Sequence, residues 1–128
     1  MGMYIYIGKE ASWHSDNCLP YLETSAGIFE CIVEETRGLF KDSEQKYVEE
    51  IYQPLDEWGQ NYISLEDVDK EGFSLFGDYC KKAMEDFPNS ETGKSVPSEG
   101  MPVILVNWSE LLRIMREDPR YRKRQESE

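Results

Sequence analysis

Aliphatic and aromatic residues alternate at the start of the chain, where residues 3–7 read MYIYI. A period of two predicts a β-strand with aliphatic side chains on one face and aromatic rings on the other. Residues 8–24 are polar and rich in turn-forming residues, so we predict a long loop without regular structure there.

Helical spacing begins after Ser25, which is a candidate N-cap. Apolar residues recur at intervals of three and four through residues 28–40, and again through residues 47–58 after a second candidate start at residues 42–43. This spacing predicts two amphipathic helices. Pro54 lies in the second stretch, and because proline removes a helical hydrogen bond, we expect that helix to break or restart there.

A third helical pattern begins near Ser64 and ends at Pro88. Ser64 and Asp67 resemble a capping box with aspartate in place of glutamate. Gly72 and Gly77 weaken the middle of the stretch, so we expect a kinked helix or two short ones.

Residues 88–100 read PNSETGKSVPSEG and have the composition of a flexible loop. The continuous apolar run at residues 103–106 predicts a strand that is buried on both faces. A short last helix is expected around Leu111 and Leu112, with Ser109 as its N-cap.

Two strands and four or five helices predict an α+β fold, a single compact domain in which helices cover a small sheet. Because two strands alone are marginally stable, a third is expected, either at residues 61–65 or around Trp13. We assign the domain to residues 1–118 and a basic, frayed C-terminal tail to residues 119–128. The expected core comprises Ile28, Ile32, Val33, Ile51, Leu55, Val103, Ile104, Leu105 and Leu112.

Charge adds information about partners. The chain of 128 residues has 26 acidic and 14 basic side chains and a net charge of −12, and four of the basic ones lie after residue 118. A field of this sign repels phosphate backbones and anionic lipids and attracts cationic surfaces. We therefore expect a basic protein partner, with no direct binding to nucleic acid or membrane.

The three cysteines, Cys18, Cys31 and Cys80, are odd in number and widely spaced, which favours free thiols over a disulfide framework. Neither a secretory leader nor an apolar stretch of bilayer length is recognisable. A cytoplasmic location is expected.

The search for catalytic chemistry centres on His14, the only histidine, with Asp16 and Cys18 close by in sequence. A Cys–His pair can activate a thiolate or supply two metal ligands, but the chain offers no second ligand pair. The spacings of phosphate-binding and calcium-binding loops are also missing. We therefore predict no enzyme activity, no cofactor and no metal site.

The second helix offers a candidate binding face, because acidic residues flank its apolar stripe on both sides. Aromatic anchors ringed by charge are common in protein interfaces. The predicted partner-binding residues are Glu49, Glu50, Tyr52, Asp56, Glu57 and Trp58.

In size, charge and expected location the chain resembles immunity proteins, which hold bacterial toxins such as basic nucleases inactive. That resemblance implies an acidic module that occludes a toxin directly. Two other classes remain open: a small enzyme with a site near His14 and Cys18, and a structural or regulatory subunit of a larger assembly, for which a sizeable exposed apolar patch is expected.

Overall fold

The computed structural model describes residues 2–8 and 20–121, and this part of the chain forms an α+β domain, as predicted. Short 3-10 turns lie at Asp42–Glu44 and Phe87–Asn89. The strands and α-helices are β1 Met3–Tyr6, β2 Tyr21–Thr24, α1 Ala26–Arg37, α2 Gln45–Asp56, β3 Tyr62–Ser64, α3 Lys70–Asp86, α4 Glu91–Ser95 and α5 Met101–Arg116.

The sheet has the order β2-β1-β3, so the N-terminal strand is central. β1 pairs antiparallel with β2 and parallel with β3, with Ile5 opposite Leu22 on one side and Ile63 on the other. These three side chains are buried, and the helices pack on their side of the sheet. The alternate positions of the strands therefore form an outer face. β3 confirms the expectation of a third strand at residues 61–65.

The core joins this sheet face to α1, α2, α3 and α5. Trp108 is fully buried, and its ring lies 5.3 Å from that of Phe87. Five of the nine expected core residues are buried and three are half-buried, whereas Val103 is 53% exposed. The buried five are Ile32, Val33, Ile51, Ile104 and Leu112.

The prediction of a strand at residues 103–106 was wrong, because this run belongs to the first half of α5. Pro102 lies in the first helical turn, where its missing N–H costs nothing. Ile104, Trp108, Leu111 and Met115 form one buried stripe, while Val106 points outward. A run of four apolar residues fits a buried strand and a helix equally well. The helical spacing of the buried residues that follow the run indicates the helix.

Residues 21–24, expected in the long loop, form β2 instead. Leu22 and Thr24 are buried while Tyr21 and Glu23 face outward, which is the alternation of a strand. The alternative third strand around Trp13 lies outside the described residues.

α2 runs through Pro54 without a restart. Pro54 removes the helical hydrogen bond to the Glu50 carbonyl, and the helix ends two residues later, at Asp56. α3 is a single helix that begins later than predicted, with Asp69 as its N-cap; the Asp69 carboxylate accepts a hydrogen bond from the Gly72 N–H at 2.8 Å. A Cβ at Gly72 would lie 2.5 Å from the Tyr47 ring, so glycine leaves room for this side chain of α2 against the first turn of α3.

Two expectations about the end of the chain also differ from the structure. The predicted loop at residues 88–100 contains α4, whose N-cap Ser90 accepts a hydrogen bond from the Gly93 N–H. In the predicted frayed tail, Arg120 is docked: its guanidinium donates to the carbonyls of Ile7, Leu65 and Val68 at 2.6–2.7 Å. Residues 122–128 lie outside the described part.

Arg120 also pairs with Asp118, from its Nε and Nη2 atoms at 2.9 Å, and stacks 4.1 Å from the centroid of the Phe73 ring. The Asp118 side chain is only 5% exposed. The charge of Arg120 is therefore neutralised by a neighbour in sequence and not by the acidic surface of α2.

Within residues 2–8 and 20–121, no helix is long and apolar enough to cross a membrane.

Candidate protein-binding surface

The acidic surface predicted on α2 is built by a helix whose inner stripe, including Val48 and Ile51, is buried against the core. The preceding 3-10 turn fixes the entry to this helix, because the Glu44 carboxylate accepts the Lys41 N–H at 2.9 Å and the Tyr79 hydroxyl at 2.7 Å. These two bonds lower the pKa of Glu44.

Five of the six predicted partner-binding residues are exposed, and these are Glu49, Glu50, Asp56, Glu57 and Trp58. Tyr52 is fully buried, so the prediction that it anchors a partner was wrong. Its hydroxyl donates to the Val33 carbonyl at 2.6 Å, and burial raises the pKa of the phenol. Tyr52 therefore joins α2 to α1 inside the core.

Arg37 of α1 covers one face of the Tyr52 ring, because its guanidinium lies 4.1 Å from the centroid of that ring. The same guanidinium donates to Asp56 at 3.1 Å and lies 3.5 Å from Glu34. Asp56 is thus directed towards α1 and is already paired with a cation. This placement separates it from the other acidic residues of α2.

The remaining acidic residues line two neighbouring depressions. One, of about 480 Å³, runs along α2 and is lined by Lys46, Tyr47, Glu49, Glu50, Gln53, Glu57 and Asp69. The other, of about 280 Å³, lies between α2 and β3 and is lined by Glu50, Gln53, Pro54, Trp58, Tyr62, Ser64, Glu66, Asp67 and Val68. We call the second depression the Trp58 cleft. Glu50 and Gln53 border both, which makes the surface continuous.

The Trp58 cleft combines an aromatic wall with carboxylates. Trp58 is 57% exposed, a high value for so large an apolar side chain. Glu50 contributes from α2, while Glu66 and Asp67 contribute from the turn after β3. An indole beside carboxylates suits an arginine or lysine side chain, since the ring attracts the cation and the carboxylates pair with it.

Sequence reasoning missed Tyr62, Glu66 and Asp67, because they meet α2 only in the folded chain, where β3 packs directly against that helix. The available signal was the alternation about Ile63, which places Tyr62 and Ser64 on the side away from the core.

The thiols of the described residues have no feature of an activated nucleophile. Cys80 is fully buried, its sulfur accepts a hydrogen bond from the Trp108 Nε1–H at 3.2 Å, and burial raises its pKa to about 12. Cys31 is half-buried, and burial raises its pKa too. His14, Asp16 and Cys18 lie outside the described residues. Within residues 2–8 and 20–121, no group of three or more metal-ligating side chains is gathered.

No protein-family model matches the sequence, and comparison with curated proteins finds no significant match. Among solved structures, the chain is similar to a protein in the complex of the CdiA-CT toxin from Burkholderia pseudomallei with its cognate CdiI immunity protein. The identity is 24%, the match covers 93% of this chain and 98% of that chain, and the TM-score is 0.74. The similarity shows that the two chains share a fold.

Proposed function

We propose that this chain is an immunity protein: an acidic binding module that neutralises a basic bacterial toxin in the cytoplasm by direct occlusion. The observation that carries the proposal is the clustering of Glu50, Glu66 and Asp67 around the exposed indole of Trp58, on a chain of net charge −12. Long-range attraction would steer the partner towards this surface, and the aromatic ring would hold it there.

The fold adds support, because a similar chain occurs in a toxin–immunity complex. Such a complex contains two roles, and charge favours the immunity role for this chain. A strongly acidic surface is suited to cover a basic cleft, whereas it would repel an anionic substrate such as nucleic acid. We accordingly propose binding and not catalysis as the activity.

A structural subunit is less well supported. In the described part of the chain, the large apolar side chains that remain exposed are Trp58, Val103 and Val106. The two valines lie three residues apart on α5, away from the Trp58 cleft, and they are too few to form the wide apolar patch expected of an obligate interface.

Surface plasmon resonance against a basic toxin encoded beside this protein would test the proposal. Glu50→Lys combined with Glu57→Lys should slow association about tenfold at low salt and weaken the salt dependence. A matched control is Glu85→Lys combined with Glu91→Lys, which changes the net charge equally at exposed positions on α3 and α4. Equal effects of the two double variants would show that only net charge matters and would reject this surface.

Trp58→Ala should mainly accelerate dissociation, roughly thirtyfold if the indole contributes about 2 kcal/mol as an interface anchor. Val106→Ala removes an exposed apolar side chain on α5 and should leave the rates unchanged. Salt-independent binding, or failure of the folded wild-type chain to protect cells from the toxin, would refute the proposed function.

A further inference from the structure

The outer face of the sheet, directed away from the helices, carries four tyrosines: Tyr4, Tyr6, Tyr21 and Tyr62. We call it the tyrosine face. Their rings touch one another: Tyr6 lies 5.8 Å from Tyr4, 5.7 Å from Tyr21 and 5.2 Å from Tyr62 between centroids. All four side chains are half-buried. The result is a connected aromatic surface that spans all three strands.

The surroundings of the tyrosine face are acidic. Glu23 lies on it and accepts a hydrogen bond from the Tyr4 hydroxyl at 3.0 Å. Glu66 lines the Trp58 cleft together with Tyr62, whose ring contacts that of Tyr6. Burial raises the pKa of Tyr6, and the charges of Glu66 and Glu23 raise it further. The strands themselves contain neither lysine nor arginine. The face therefore offers π-electron surface and negative charge without an internal cation.

Tyr62 and Glu66 also line the Trp58 cleft, so the tyrosine face and the cleft are contiguous. Tyrosine rings give large contact areas with little loss of conformational entropy, and for this reason they are common in binding surfaces. A second copy of this chain is a poor occupant, because two chains of charge −12 repel each other.

The chain itself contains an example of the chemistry that would fit this face. Arg37 stacks on the Tyr52 ring while pairing with Asp56 and Glu34, which is an arginine held by one tyrosine and two carboxylates. Guanidinium groups are weakly hydrated and planar, so they stack on aromatic rings more readily than ammonium groups do.

We infer that the tyrosine face is a second part of the docking surface and binds arginine side chains of the basic partner. The inference rests on the proposed function for the identity of the partner, but recognition of arginine can be measured without any toxin. The probes are a nona-arginine peptide and a nona-lysine peptide of equal charge, titrated calorimetrically into the full-length chain.

The wild-type chain should bind nona-arginine about three- to fivefold more tightly than nona-lysine, a ratio expected for cation–π stacking at a partly exposed site. Tyr6→Thr combined with Tyr21→Thr should reduce this ratio to about one. Tyr79→Thr is the matched control, because Tyr79 is also half-buried, contacts Phe40 and donates to a carboxylate, but lies on α3. It should leave the ratio unchanged.

NMR titration of the wild-type chain gives a readout that does not depend on the stability of a variant. The backbone amides of Tyr4, Tyr6, Tyr21 and Tyr62 should shift with nona-arginine, and that of Tyr79 should not. Equal affinities for both peptides, or shifts confined to other surfaces, would overturn the inference.

Three further outcomes distinguish the possible occupant of the face and the two proposals. Binding that appears only after deletion of residues 122–128 would assign the face to the chain's own basic tail and would also overturn the inference. If the arginine preference is found but no toxin is neutralised, the proposed function fails while the arginine-binding face remains. If a toxin binds and the tyrosine variants bind it like the wild type, only the tyrosine face is rejected.

Discussion

Arg120 should be one of the most important residues for stability, although it lies only eight positions from the end of the chain. Replacement by alanine removes five side-chain hydrogen bonds, leaving the Asp118 carboxylate unpaired in a nearly buried position and three carbonyls without this donor. Breaking a buried ion pair costs about 3–5 kcal/mol, and we expect the lower end because the Arg120 side chain is 20% exposed.

A loss of about 3 kcal/mol is a large share of the stability of a small domain. In urea, with a slope of about 1.5 kcal/mol per molar, the unfolding midpoint should fall by about 2 M. Tryptophan fluorescence is a suitable probe, since Trp108 is fully buried in the folded chain.

Three companion variants separate the causes. Arg120→Lys keeps the charge but loses the planar fork, so it should fall between the wild type and Arg120→Ala. Adding Asp118→Asn to Arg120→Ala should restore part of the loss, because no unpaired charge then remains buried. Arg113→Ala breaks a surface pair with Glu110 and should cost at most about 1 kcal/mol. If Arg120→Ala costs no more than Arg113→Ala, the reasoning fails.

Three further predictions concern single groups. Tyr52→Phe should lower the free energy of unfolding in urea by about 1 kcal/mol, because the hydrogen bond from its hydroxyl is lost. Partner binding by the folded variant should stay unchanged, and a specific loss of binding would contradict the place of Tyr52 in the core. In native protein, iodoacetamide followed by mass spectrometry should modify Cys31 but not Cys80, whose pKa is raised to about 12; rapid labelling of Cys80 would contradict this. Folding lowers the pKa of Glu44 below its usual value of 4.5. The stabilisation from this carboxylate is therefore fully present above that pH and is lost as the pH falls through the lower pKa of the folded state. Glu44→Gln should accordingly flatten the loss of stability in acid, and unchanged acid unfolding of this variant would contradict the prediction.

The elements predicted correctly from the sequence are those whose signals are local. β1 shows its alternation within five residues, and α1 and α2 show a repeat of three and four over a dozen residues each. The run at residues 103–106 has no periodicity of its own, so it is compatible with both a buried strand and a helix. β2 was missed because its four residues follow a polar stretch and gain their partners only from β1.

Only part of the candidate surface was predicted correctly, because some of its features depend on elements that are distant in sequence. The helical repeat identifies which residues of α2 face outward, but Tyr52 lies at the edge of the apolar stripe. Whether such an edge is covered depends on α1, and Arg37 covers it. Arg120 gave no local signal either, because its carbonyl partners lie between 52 and 113 residues away in sequence.

The central position of β1 also determines the order in which the sheet is completed as the chain is synthesised. β2 follows within about twenty residues, so the antiparallel pair can form early, whereas β3 is made only after α1 and α2. During that interval the other edge of β1 presents unpaired N–H and C=O groups beside exposed aromatic rings. Unprotected strand edges recruit other chains and promote aggregation. Nascent or partly unfolded chains should therefore be the aggregation-prone species, and slower synthesis should lengthen the period in which they need chaperones.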